Sequence, residues 1–124
     1  MTPRALLATA WTIAILLACW LPDFVLREAK VAKPLIVLNL DKFVHFGIFA
    51  VFAWLWMRAA TIERRGWIVL VAGITLAVVS ELGQQLPFVN RDAGLDDGIA
   101  DVGGVVAGIA AYSLTTLRKK PRLD

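Results

Sequence analysis

Four stretches of the chain are apolar almost without interruption, at residues 5–21, 43–60, 67–86 and 99–117. Polar and helix-breaking residues divide them. Pro22 and Asp23 end the first, Arg58 and then Glu63, Arg64, Arg65 and Gly66 separate the second from the third, and residues 91–98 separate the third from the fourth. Arg118, Lys119 and Lys120 close the last. At about 1.5 Å of rise per residue, helices of these lengths run roughly 26–30 Å, the thickness of bilayer hydrocarbon. The pattern predicts an all-α polytopic membrane protein, a four-transmembrane-helix bundle forming a single domain over residues 1–124. Residues 31–40 make a shorter apolar piece, interrupted by Lys33 and Pro34. Too short to cross, that piece fits an interfacial helix or a re-entrant loop between helices one and two, and the interfacial helix is the expected one. Trp11, Trp20, Trp54, Trp56 and Trp67 include several at predicted helix ends, where amphipathic rings favour the headgroup level.

Composition agrees with the pattern. The 124 residues are 59% hydrophobic and 19% charged, with a mean hydropathy of +0.70. Soluble domains average about 45–50% apolar and about 25% charged, so an ordinary water-soluble fold is excluded. The net charge of +3 comes with no basic-aromatic stripe, and nucleic acid is not an expected partner. The charge sorts by side instead. If four crossings bring both termini together, their side holds Arg4, Arg58, Arg64, Arg65, Arg118, Lys119, Lys120 and Arg122, against Arg27, Lys30, Lys33, Lys42 and Arg91 opposite. The acids divide more sharply, with Glu63 and Asp124 on the terminal side and Asp23, Glu28, Asp41, Glu81, Asp92, Asp96, Asp97 and Asp101 on or near the other. By the positive-inside rule, both termini of this multi-pass protein are expected in the cytoplasm. The single Cys19 cannot form an internal disulfide. Leu16-Leu17-Ala18-Cys19 imitates a lipoprotein signal, but Leu17 is larger than that cleavage motif takes.

Ionisable groups inside a membrane are costly, so a function is sought where they gather. Asp41, Lys42 and His45 open helix two, Glu81, Gln84 and Gln85 stand near the end of helix three, Arg91 follows in the loop, and Asp97 and Asp101 open helix four. Helix three runs opposite to helices two and four, so all of these converge on the extracytoplasmic end. Asp41 and His45 are four apart, as are Glu81 and Gln85, and Asp97 and Asp101, so each pair shares a helix face. Each has a plainer reading as well. Asp41 and Asp97 can cap helix N-termini, and His45 can be an inter-helix hydrogen bond. Glu81 sits near a helix C-terminus, where the dipole disfavours an anion. It needs Arg91, Lys42 or a protonated His45 as partner, or a proton of its own. Gly104 and Gly108, with Gly103 and several alanines, make one side of helix four small enough for close helix packing.

Asp41-Lys42-x-x-His45-Phe46 at the start of helix two, followed by Glu81-x-x-Gln84, Arg91, Asp97, Asp101, Gly104 and Gly108, resembles the VanZ-like family of small bacterial membrane proteins, named after a teicoplanin-resistance protein. The resemblance covers residues 41–117. Asp101 is the departure, standing where that family usually has Asn. The resemblance implies an integral protein of the bacterial envelope, linked in some members to reduced glycopeptide sensitivity, and supplies no reaction.

Three readings follow. In the first, the site binds an envelope component, lipid-linked or peptidoglycan-related, with Lys42 and Arg91 as anion-binding cations and His45, Glu81 and Asp101 orienting them. The second is a membrane-embedded hydrolase or transferase acting on a lipid-linked phosphate. It would use His45 as acid or base, or His45, Glu81, Asp97 and Asp101 as ligands of a divalent metal. In the third, the polar cluster only stabilises the bundle of a structural or accessory subunit. The first is the expected one, with membrane lipids as partners, no cofactor and no resident metal. The inner halves of the spans lack polar residues to line a path, which argues against transport.

Overall fold

A computed structural model describes residues 1–22, 24–25, 40–91 and 94–118. Among the described residues the chain is all-helical, with helices α1 (Pro3–Cys19), α2 (Leu40–Ala59), α3 (Arg65–Gln84) and α4 (Leu95–Arg118). Three of them, α2, α3 and α4, are long and apolar enough to cross a membrane, and α1 is a shorter apolar helix of 17 residues. The interfacial helix expected over residues 31–40 lies outside the described residues, save for Leu40, which opens α2. Arg27, Lys30, Lys33, Lys119, Lys120 and Arg122 lie outside them too, as do Asp23, Glu28, Asp92 and Asp124.

The helices begin earlier than the apolar runs suggest, for a local reason. At α1, the Thr2 hydroxyl accepts the Ala5 N–H at 3.2 Å and Pro3 takes the first helical turn, where a missing N–H costs nothing. Helix α2 starts three residues before the predicted run and carries Asp41 in its first turn. Helix α4 starts four residues before and carries Asp96 and Asp97 there. Carboxylates complement the positive end of the helix dipole, so polar residues that break an apolar window still extend the helix.

Parallel helices α2 and α4 make the central pair, with α1 packed on α2 and α3 on α4. Backbone approaches backbone between the pair. A Cβ placed on Gly104 would overlap the Phe46 carbonyl oxygen, and one placed on Gly108 would overlap that of Ala50. Around this seam lie Phe49, Phe52, Ala53 and Val105, all buried. Gly73 of α3 faces the Val105 side chain, where a Cβ would stand 2.8 Å from Cγ1. Two tryptophans tie α1 to α2: Trp11 Nε1 donates to the Ile48 carbonyl at 3.0 Å, and Trp56 Nε1 donates to the Thr12 hydroxyl at 3.0 Å. In α4, Ser113, Thr115 and Thr116 donate to carbonyls one turn back, so their hydroxyls are satisfied within the helix.

The outside of the bundle is apolar. Only 22–33% of each candidate span is buried within the protein. Val71, Ile74, Val78 and Leu82 form an outward stripe along α3, and Val106 and Leu114 continue the same character on α4. Water would penalise so continuous a surface and lipid does not, which makes this a membrane protein by its surface as well as by helix length.

Candidate ligand-binding site

The ends of α1 and α3 and the beginnings of α2 and α4 meet at one end of the bundle, and the polar residues collect there. His45 of α2 and Asp101 of α4 are both buried and joined by a hydrogen bond, Nδ1 to Oδ1, of 2.9 Å. Their position follows from the glycine seam. Phe46, next after His45, lies over Gly104, three residues after Asp101, so close backbone contact brings the two side chains together. With a proton on Nδ1 the imidazole donates to the carboxylate, and in the neutral ring this sets the tautomer with the lone pair on Nε2.

Both cations assigned to anion binding by sequence have other partners. Lys42 Nζ donates to Asp96 Oδ2 at 3.0 Å, an exposed pair that joins the starts of α2 and α4. Asp96 was not among the candidates, although its place in the first turn of α4, beside Asp97, is a signal that could have found it. Arg91 Nη1 donates to the carbonyls of Ala18 at 3.3 Å and Cys19 at 3.1 Å, the open end of α1. A compact turn brings it there. Val89 N–H and Asn90 N–H both reach the Leu86 carbonyl, Arg91 N–H donates to the Gln84 carbonyl at 3.2 Å, and Asn90 adopts φ 47°, a left-handed conformation asparagine tolerates. In lipid, last-turn carbonyls without partners are costly, so Arg91 closes α1. Arg91→Ala is expected to destabilise the protein by about 2 kcal/mol, the scale of a hydrogen bond to a charged donor. An unchanged unfolding midpoint in detergent would contradict this.

Glu81 is half-buried on α3, and its Oε1 is shielded from solvent without a hydrogen-bond partner among the described residues. Neither Lys42, Arg91 nor His45 bonds it, although His45, Arg91, Asp97 and Asp101 are all near enough for their charges to act on it. Asp41 Oδ1, Gln84 Oε1 and Asp101 Oδ2 are likewise buried without a described partner, and Gln84 and Asp101 are 1% and 0% exposed. Asp97 stands in the first turn of α4, half-buried, in the position of a dipole-complementing acid. Gln85 closes α3 and is exposed.

Two further residues join this end that sequence reasoning did not select. Cys19 lies beside Ser80 and within reach of the charges of Asp101, Arg91 and Glu81. Trp20 packs its indole on Gly83, where any Cβ would overlap it. The signal for both is topological: α1 ends where α3 ends.

Glu81 also stands on the wall of a groove of about 750 Å³ between α3 and α4, open along the lipid-facing side. Ile74, Val78 and Leu82 line one wall, and Leu95, Ile99 and Val102 line the other. Glu81 and Gln85 are the two polar side chains in the lining. Gly94, Gly98 and Gly103 contribute no side chains to the lining, and a Cβ on Gly98 would meet nothing within 4 Å. Its volume falls in the range of about 300–1,000 Å³ usual for small-molecule sites. The metal site considered from sequence does not assemble: among the described residues no group of three or more His, Cys, Asp and Glu could hold an ion. Comparison with family models, curated proteins and solved structures gives no match to this chain.

Proposed function

We propose that this chain is a VanZ-like integral protein of the bacterial envelope that binds a lipid-linked or other envelope amphiphile at the polar end of the bundle. The observation that carries the reading is the groove between α3 and α4, apolar over most of its lining and polar at Glu81 and Gln85. An amphiphile has that distribution of surface, and a lateral opening admits one from the bilayer. In this reading α1 is a fourth crossing, about 26 Å long at 1.5 Å per residue. Both termini lie in the cytoplasm, as the excess of Arg near them favours, and the polar end faces away from it. The resemblance adds a cellular readout, the glycopeptide sensitivity of cells producing the protein.

The accessory-subunit reading has its own support in the buried His45–Asp101 bond, which is enough to fix how α2 and α4 pack. The two readings separate on Gly98→Trp, which fills the groove from a position whose Cβ meets open space. In the binding reading, protein purified in mild detergent carries an amphiphile visible by native mass spectrometry, and Gly98→Trp loses it while keeping its unfolding midpoint. Equal retention by the variant, or a wild-type protein free of any bound amphiphile, sinks the proposal.

A further inference from the structure

The acid-base character of the site narrows the ligand's chemistry. The buried polar atoms without described partners at this end are all oxygens: Asp41 Oδ1, Glu81 Oε1, Gln84 Oε1 and Asp101 Oδ2. An amide can be turned to present its NH₂ instead, so the carboxylate oxygens carry the weight, and of the three carboxylates Glu81 lines the groove. Each lacks a donor. The cations nearby do not supply one, since Lys42 is paired with Asp96 and Arg91 Nη1 is held by the α1 carbonyls. An anionic group would add charge to a cluster of carboxylates and leave these acceptors unmet. A donor-rich cation suits Glu81, the carboxylate in the groove lining, because charge-assisted hydrogen bonds are the strong ones and a carboxylate without a donor is costly.

We propose that the polar end of the α3–α4 groove takes the protonated primary amine of an amphiphile, its N–H groups on Glu81 and its apolar tail along the groove. This rests on the binding reading above and names the class of ligand. The groove also discriminates among cations. Sites for quaternary ammonium groups surround them with aromatic faces, and no described residue lining this groove is aromatic. A primary ammonium needs no such cage, because hydrogen bonds hold it. Asp101, fully buried and within reach of Glu81's charge, adds negative potential behind the carboxylate that the amine meets.

The full chain in neutral maltoside micelles, followed by the fluorescence of its five tryptophans during thermal unfolding, tests this with three probes of equal tail length: dodecylammonium, dodecyltrimethylammonium and dodecyl phosphate, each a minor component of the micelle. Dodecylammonium is expected to raise the unfolding midpoint by about 4 °C or more, the scale of a ligand well above its dissociation constant, and the other two to leave it unmoved. Glu81→Gln should lose the shift, and Glu81→Asp, which keeps a carboxylate on a shorter arm, should retain part of it. Equal protection by dodecyltrimethylammonium, or a full shift in Glu81→Gln, overturns the proposal. Protection by dodecyl phosphate alone overturns it and leaves the binding reading standing, whereas no protection by any probe defeats both. Lipid nanodiscs then locate the source. A shift in phosphatidylethanolamine over phosphatidylglycerol supports the bulk lipid headgroup, and a shift from the alkylamine without that difference supports a scarcer amine-bearing amphiphile.

Discussion

Gly104→Ala is expected to destabilise the bundle by about 3 kcal/mol, the upper end of the usual overpacking cost. The added Cβ would overlap the Phe46 carbonyl oxygen, and it would also stand 3.0 Å from the Phe46 carbonyl carbon and 3.1 Å from the Ala50 nitrogen. All three are backbone atoms of α2, so no side chain can rotate away, and the helices must separate along the seam that also places His45 against Asp101. Gly108→Ala meets the Ala50 carbonyl oxygen and, at 2.8 Å, the Ala53 Cβ, and should cost a similar amount. Gly47→Ala provides the contrast. Its Cβ meets nothing within 4 Å, and exchanging glycine for alanine inside a helix is worth up to about 1 kcal/mol in favour of folding. Unfolding in mixed anionic and neutral micelles should rank Gly47→Ala at or above wild type and Gly104→Ala well below it. Coincident midpoints for the two variants would mean that the close crossing of α2 and α4 is absent from the folded protein.

Asp101→Leu is expected to cost about 3–5 kcal/mol, because it removes one partner of a buried pair and leaves His45 Nδ1 without an acceptor. Asp101→Asn should cost about 1 kcal/mol or less, since its amide oxygen can still accept from Nδ1–H at the same place. Asn is also the residue that the VanZ-like resemblance leads one to expect there. Combining His45→Phe with Asp101→Leu should cost less than the two single changes added together, because a buried pair replaced whole by apolar groups leaves no orphan behind. Additive costs would show that the two side chains do not interact in the folded protein, whatever their 2.9 Å separation.

Helix content was legible in the sequence, because runs of seventeen to twenty apolar residues bounded by charge admit few other structures in a membrane. Start points were legible less well. Asp41, Asp96 and Asp97 break an apolar window, yet each belongs to a first helical turn, where its charge is favourable. The bounds of the apolar runs placed the candidate acids, His45 and Gln84 on helix ends that do come together. Their pairings were not legible. Glu81 looked in need of Arg91, Lys42 or His45 and hydrogen-bonds none of them; Lys42 chose Asp96, 54 positions along the chain; and Arg91 turned back 72 positions to the end of α1.

Sequence by itself determined an all-helical chain whose apolar surface suits a bilayer and whose ionisable groups gather towards one end. Tertiary structure alone decided which helix faces meet, and with them the His45–Asp101 bond, the capture of Arg91 by α1 and the groove beside Glu81. The physical reason lies in the solvent. In water an amphipathic stripe announces the packed face of a helix, but in lipid the packed and the exposed faces are equally apolar. The choice then falls to small residues such as Gly104 and Gly108, whose partners only the folded chain reveals.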